Sequence, residues 1–300
     1  MRRVPTCLLS SHAAPRVSHG HDPDAFVEIG SLTKILTGTL LMRLAAAGTL
    51  DPDDPVERFL NAPAGTGITL RHLAEHTSGL PRLPPGLAGR DPYAAFTDDA
   101  LRALIRRLDG LTTAAPGAST EYSNLGYAVL GAALVAAGAR PYGELVREHV
   151  LQPLGLEHGV AARPPGRRLV ARGLFGRELR PWTMDGAILP AGGMWATPRA
   201  TADLVIGLLV EGSLGAPAPT WQSAAGLTWH NGATRNASAF AGAFPDGQWV
   251  VVHRLGGSPE RTDAMAVEHL RETRRDWPGE ERSAEDRSGE DRPANASPSG

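Results

Sequence analysis

The chain has 300 residues, enough for one large domain or two small ones with an ample core. Its apolar fraction of 42% and charged fraction of 21% are those of a globular protein, and a net charge of −2 gives no electrostatic reason to expect nucleic acid or an anionic membrane as partner. The single cysteine, Cys7, excludes an internal disulfide and says little about compartment.

The first residues, MRRVPTCLLSSHAAP, carry two arginines and a few apolar residues. Pro5 and Thr6 break the apolar run short of the roughly 7–15 residues of a signal-peptide core. No stretch reaches the ~18 continuous apolar residues of a membrane span. The expectation is a cytoplasmic chain, unless an export signal lies upstream of the start as written. Residues 3–9 read as a short strand. Residues 31–47, SLTKILTGTLLMRLAAA, are apolar on nearly all sides and end before Gly48, which predicts a helix in the middle of the fold. The segment 69–81, TLRHLAEHTSGLP, reads as a helix stopped by Gly79 and Pro81, and 98–108 as an amphipathic helix. Residues 115–138 are a loop leading into a second buried helix. The stretch 159–200 is rich in Gly, Pro and Arg and supports no assignment before a helix over 197–212. Strand character appears at 226–232, 237–244 and 248–255, the last two joined by a turn at Pro245-Asp246-Gly247. A closing helix is expected over 262–275. From Trp277 onward Ser, Glu, Asp, Arg and Pro dominate, which marks 276–300 as a disordered charged tail.

Three elements carry possible chemistry. Lys34 is the only lysine; the other 29 cationic residues are arginine. Arginine is not deprotonated in proteins, whereas a buried lysine can shed its proton. Ser31 stands three positions earlier, so both side chains share one helix face, beside the unpaired N–H groups of a helix start. Read alone, Ser31 is equally a helix cap. In Tyr122-Ser123-Asn124, residues two apart face one way, and a phenol beside an ammonium is a proton relay; read alone, the segment is an N-cap with a packed tyrosine. In His230-Asn231-Gly232-Ala233 the histidine and Gly232 share a strand face, and glycine in a strand marks close approach of a ligand or backbone. Alone, His230 reads as a surface residue.

Together these elements resemble the serine β-lactamase and penicillin-binding protein-like family, in the branch holding class C β-lactamases, D-alanyl-D-alanine carboxypeptidases and esterases. Ser31-x-x-Lys34, Tyr122-x-Asn124 and His230-x-Gly232 follow in that branch's order, as do the phrases EIGSLTK, LAEHTSGLP, QPLGLEHG and LPAGGMWATPRATADL. The resemblance implies an α+β fold, an antiparallel sheet flanked by helices with an inserted all-α subdomain. It places a single catalytic domain over 1–275, with the α/β part at 1–50 and 220–275 and the helical part at 51–219. It implies acyl transfer: Ser31 attacks an amide or ester carbonyl, Lys34 and Tyr122 move its proton, Asn124 holds Lys34 and substrate, and His230 orients the phenol or binds substrate. The N–H groups of Ser31 and Ala233 would form the oxyanion hole beside Gly232. No cofactor or metal is called for; the expected partner is a small molecule or short peptide, and oligomeric state stays open.

Two departures bear on substrate. His-Asn-Gly stands in place of Lys-Thr-Gly, which removes a fixed cation for a substrate carboxylate and ranks esters and D-amino-acid peptides above β-lactams. Arg235 is a candidate for the missing charge. Only about 30 residues precede Ser31, so the first strands must be short, and Pro5 suits only an edge strand. Two other readings are carried forward. His72, Glu75 and His76 match an H-x-x-E-H zinc-peptidase pattern if a helix puts both histidines on one face. The fold also serves as a catalytically weak penicillin-binding or sensing domain.

Overall fold

A computed structural model of the chain describes residues 3–275. The tail expected over 276–300 lies outside the described residues.

The strands in chain order are β1 (Thr6–Ser10), β2 (Arg16–Ser18), β3 (Val27–Glu28), β4 (Val160–Ala161), β5 (Trp195–Ala196), β6 (Gln222–Ala224), β7 (Leu227–Ala233), β8 (Ala237–Ala243) and β9 (Trp249–Leu255). Six of them form one antiparallel sheet in the order β2-β1-β9-β8-β7-β6. The helices are α1 (Thr33–Ala46), α2 (Leu70–Ala74), α3 (Asp98–Ile105), α4 (Asn124–Gly138), α5 (Tyr142–Val146), α6 (Leu189–Gly192), α7 (Pro198–Val205) and α8 (Pro259–Arg275). The architecture is the α+β arrangement of an antiparallel sheet between helices.

All seven residues of β8, ASAFAGA, are buried because the sheet is covered on both faces. Alternation sends Phe240 toward Ala266 and Leu270 of α8. Ala239, Ala241 and Ala243 on the other face join one continuous core with Leu36 and Leu40 of α1 and Leu125 and Leu130 of α4. Small alanines on that face let the helices pack close. Helix α7 also lies against β1, β8 and β9. Helices α1 and α4 are buried on most sides, which is why neither shows an apolar stripe. Gly131 of α4 makes room for α6: a Cβ there would lie 2.1 Å from Pro190 Cγ. That contact brings the backbone of Pro190 and Ala191 over α1.

Several boundaries differ from the sequence reading for identifiable reasons. The helix expected over 69–81 stops at Ala74, because His76 adopts a left-handed backbone (φ 61°) and Gly79 another (φ 73°). His72 and His76 therefore do not share a helix face. His72 Nδ1 accepts from Thr69 N–H, His76 Nδ1 accepts from Ser123 N–H, and no metal-binding group of three His, Cys, Asp or Glu occurs among the described residues. Pro5 does not mark an edge: β1 has β2 on one side and β9 on the other, and Pro5 precedes the strand, where its carbonyl accepts from Leu255 N–H. Within 159–200, β4 and β5 are two residues each and form a small sheet with β3, strands too short for any periodicity to reveal. No helix among the described residues is long and apolar enough to cross a membrane.

Candidate active site

Ser31 sits in a single tight turn, Gly30–Leu32, that leads directly into α1. One helical turn on, Lys34 is fully buried, with Nζ 3.2 Å from Ser31 Oγ. Its other neighbours are Asn124 Oδ1 at 2.8 Å and the carbonyl oxygen of Ala191 at 2.6 Å. The Tyr122 hydroxyl donates to Ser31 Oγ at 2.6 Å. Ser123 caps α4 by accepting from Gly126 N–H, which aims Tyr122 and Asn124 into the same site. The capping role and the site role of this segment are thus held by different residues of one turn.

Burial lowers the Lys34 amine well below its ordinary value, and the charge of Arg82 adds to the effect. Burial pushes the Tyr122 phenol up to about 12, against the pull of its Ser31 hydrogen bond and of Arg82. Both directions favour an uncharged pair. A neutral amine has two N–H donors, which Asn124 and Ala191 accept, and one lone pair, which faces the Ser31 hydroxyl. Tyr122 supplies the remaining hydrogen bond to Ser31.

The end of β7 closes the site. Thr234 N–H donates to Ala237 across the β7–β8 turn, so the next pair, Ala233 with Ser238, is the non-hydrogen-bonded type. The Ala233 N–H therefore faces away from β8, toward the Ser31 turn. The apposition is tight: a Cβ on Gly232 would lie 2.2 Å from the carbonyl oxygen of Ile29 and 3.0 Å from Ser31 N, and one on Gly30 2.9 Å from Ala233 N. Only glycine at both positions lets the two backbones meet.

His230 lies beneath the site, 1% exposed, and its Nδ1 donates to the Asn231 carbonyl at 2.7 Å. It is not a surface residue. Burial, then the nearby Lys34, lowers it to about 4, so it is neutral. Asn231 points the other way and donates to Asp263 of α8. Arg235, at the exposed β7–β8 turn, is not among the residues lining the cleft.

Ser31, Tyr122, Asn124, Gly232 and Ala233 open onto a cleft of about 610 Å³. Four further residues surround this site; sequence reasoning named only His76 among them, and as a metal ligand rather than a partner of Tyr122. His76 stacks on Tyr122, ring centroids 4.4 Å apart. The Tyr93 hydroxyl is 3.4 Å from Asn124 Nδ2. Arg82 lies over the Tyr122 ring, and Trp182 forms a wall. His76 and Arg82 flank the SGLP phrase, but nothing in residue type separates Arg82 from 28 other arginines.

A buried lysine and a tyrosine hydroxyl on one serine oxygen at a helix start, with a strand backbone packed against the serine turn, define the serine hydrolases of the β-lactamase and penicillin-binding type. A family model described as Beta-lactamase matches residues 11–274, and the chain belongs to that family. It is 35% identical over 183 residues to the D-alanyl-D-alanine-carboxypeptidase/endopeptidase AmpH of Escherichia coli K12, a match covering 58% of this chain and 46% of that protein. The chain thus spans about half the length of that curated relative. Among solved structures it resembles an octameric penicillin-binding protein homologue from Pyrococcus abyssi (TM-score 0.74, 21% identity, 89% of this chain and 73% of that one). It also resembles a β-lactamase/D-alanine carboxypeptidase from Yersinia pestis (TM-score 0.70, 22% identity, 88% and 91%). At these identities the structures establish the fold.

Proposed function

We propose that the chain hydrolyses an ester, an amide or a D-amino-acid peptide through an acyl-enzyme on Ser31. The observation that carries this reading is the Ser31 hydroxyl held between the buried Lys34 amine at 3.2 Å and the Tyr122 hydroxyl at 2.6 Å. Ser31 Oγ attacks the substrate carbonyl carbon as its proton passes to the Lys34 lone pair. The oxygen that gains charge lies between the N–H groups of Ser31 and Ala233, each such donor worth about 3–4 kcal/mol of barrier. Collapse breaks the bond to the leaving group, which takes the Tyr122 proton. Water then adds to the acyl carbonyl, giving its proton to the Tyr122 phenolate. Ser31 departs with the proton held by Lys34, and the site is restored. His230 is buried and neutral, hydrogen-bonds the Asn231 carbonyl and does not line the cleft.

The neutral, buried His230 offers no cation to a substrate carboxylate, which supports esters within that set. The carboxypeptidase named among the relatives favours D-amino-acid peptides within that set. A fluorophosphonate or fluorescent penicillin should label the native protein and fail to label Ser31→Ala, and p-nitrophenyl esters or D-amino-acid peptides should be turned over. Absence of labelling together with absence of turnover would make the chain a binding or sensing domain instead.

A further inference from the structure

A second pocket, of about 690 Å³, opens on the sheet beside α8 and shares no lining residue with the Ser31 cleft. Strand pairing sets its floor. Ser18 of β2, Thr6 of β1 and Arg254 of β9 stand opposite one another in one row across the sheet. Arg16, Leu8 and Val252 form the next row, two residues along, so all six side chains share a face. That face is the one under α8, where Leu8 and Val252 pack with Ala266 and Leu270. Arg16 confirms the direction, its Nη2 lying 3.2 Å from His269 Nδ1 of α8. Arg16 and Arg254 thus rise from strands two spacings apart, about 10 Å, on either side of β1.

The pocket carries cations and nothing to balance them. Arg3, Arg16 and Arg254 line it with His19, and no carboxylate does. None of these three arginines takes part in an ion pair among the described residues. Arg254 is the decisive one. It is only 9% exposed, its Nε has no hydrogen-bond partner, and Nη1 reaches the Ser258 carbonyl at 3.5 Å, the limit of a hydrogen bond. Burial, then the neighbouring Arg261, works against its charged form, yet a guanidinium does not shed its proton. A buried charge in that position is costly until an anion meets it.

We propose that this pocket binds a phosphate monoester with an apolar substituent, Arg254 serving as the buried anchor and Arg16 as the second clamp. Several cations with no carboxylate among them suit a group of nearly two negative charges and three acceptor oxygens, which planar guanidinium forks bind in pairs. Ser18 adds a hydroxyl from the Arg254 row. Val4, Leu8, Pro15, Val17 and Met265 supply the apolar walls that receive the substituent.

The test is calorimetric titration of the full chain with phenyl phosphate, inorganic phosphate and phenol in a chloride buffer. Phenyl phosphate should bind, inorganic phosphate about tenfold more weakly for want of the ring, and phenol not measurably. Arg254→Gln should weaken phenyl phosphate about 10- to 100-fold, as loss of a charged hydrogen-bond partner predicts. Should that variant fail to fold, Arg16→Gln on the exposed strand β2 gives the second reading, a loss of about tenfold. Fluorophosphonate labelling of Ser31 should proceed at the native rate in both variants, because neither arginine lines the cleft. No binding of phenyl phosphate, an affinity unmoved by either substitution, or inorganic phosphate and phenol binding as tightly as the ester would overturn the proposal.

Discussion

At Lys34 the choice between lysine and arginine is decided by proton accounting. The site offers the amine two acceptors and one hydroxyl, a set that a neutral –NH2 matches and a guanidinium with five N–H donors and no lone pair does not. Lys34→Arg is expected to lower acylation roughly 10²–10⁴-fold, the ordinary contribution of a positioned base. Labelling rates measure the loss, and circular dichroism checks that the variant is folded; full activity in a folded variant would sink the assignment. As the only lysine of the chain, this residue is conspicuous from composition, and Ser31 at i−3 is readable from helix geometry. Arg82 and His76 are not. Their roles come from stacking on Tyr122, a contact no spacing encodes.

The decisive pairing of elements is β7 against the Ser31 turn. Glycine at 232 is legible as a sign of close approach, and the partner backbone is that of Ile29 to Leu32. Gly232→Ala puts a methyl 2.2 Å from a carbonyl oxygen, so β7 must move away from Ser31. Because the collision is with backbone, rotamer adjustment cannot relieve it. Acylation should fall at least about tenfold, since the Ala233 N–H leaves the oxyanion position, and Tm should drop as well. A variant that keeps the native acylation rate would show that Ala233 is not a donor. Helices α1 and α4 are readable from their apolar runs. Helix α2 is shorter than its sequence pattern predicts because the left-handed turn at His76 is imposed by tertiary contacts: its ring is held between Ser123 N–H and the rings of Tyr122 and Tyr127.

For the whole molecule, the buried titratable groups set how stability responds to pH. Asp22 N–H donates to His21 Nδ1, His21 Nε2 to His253 Nδ1, and His253 Nε2 to the Glu28 carbonyl. The chain uses one proton per ring and has no acceptor for another. Burial lowers His21 and His230 to about 4 and His76 and His253 to about 3. The unfolded chain takes up these protons near pH 6.5 while the folded one refuses them, so stability falls as pH drops below 6.5 toward those values. Each histidine costs about 1.4 kcal/mol per pH unit in that window. Glu28 acts oppositely. Burial raises it to about 7, so its contribution is full below its unfolded value of 4.5 and is lost as pH rises toward 7. Four groups outweigh one, and Tm should be lower at pH 5 than at pH 7.5, by roughly 5–10 °C. Glu28→Gln should widen that difference. Scanning calorimetry at the two pH values checks both, and a Tm independent of pH would refute the account.

Local patterns determined a good deal by themselves. Continuous apolar runs marked α1 and α4, strand-prone segments and a tight turn between the last two marked β7 to β9, and the order of Ser31, Lys34, Tyr122, Asn124 and His230 marked the family. These are properties of neighbours along the chain, where backbone period and side-chain chemistry are written directly. The tertiary structure alone decided what closes around them. Lys34 meets the Ala191 carbonyl 157 positions away because Gly131 admits Pro190. Strands β3, β4 and β5 exist only as partners of one another, and the cation lining the cleft is Arg82 while Arg235 lies outside it. Such contacts depend on which surfaces fit once the core has packed, and no local period carries that information.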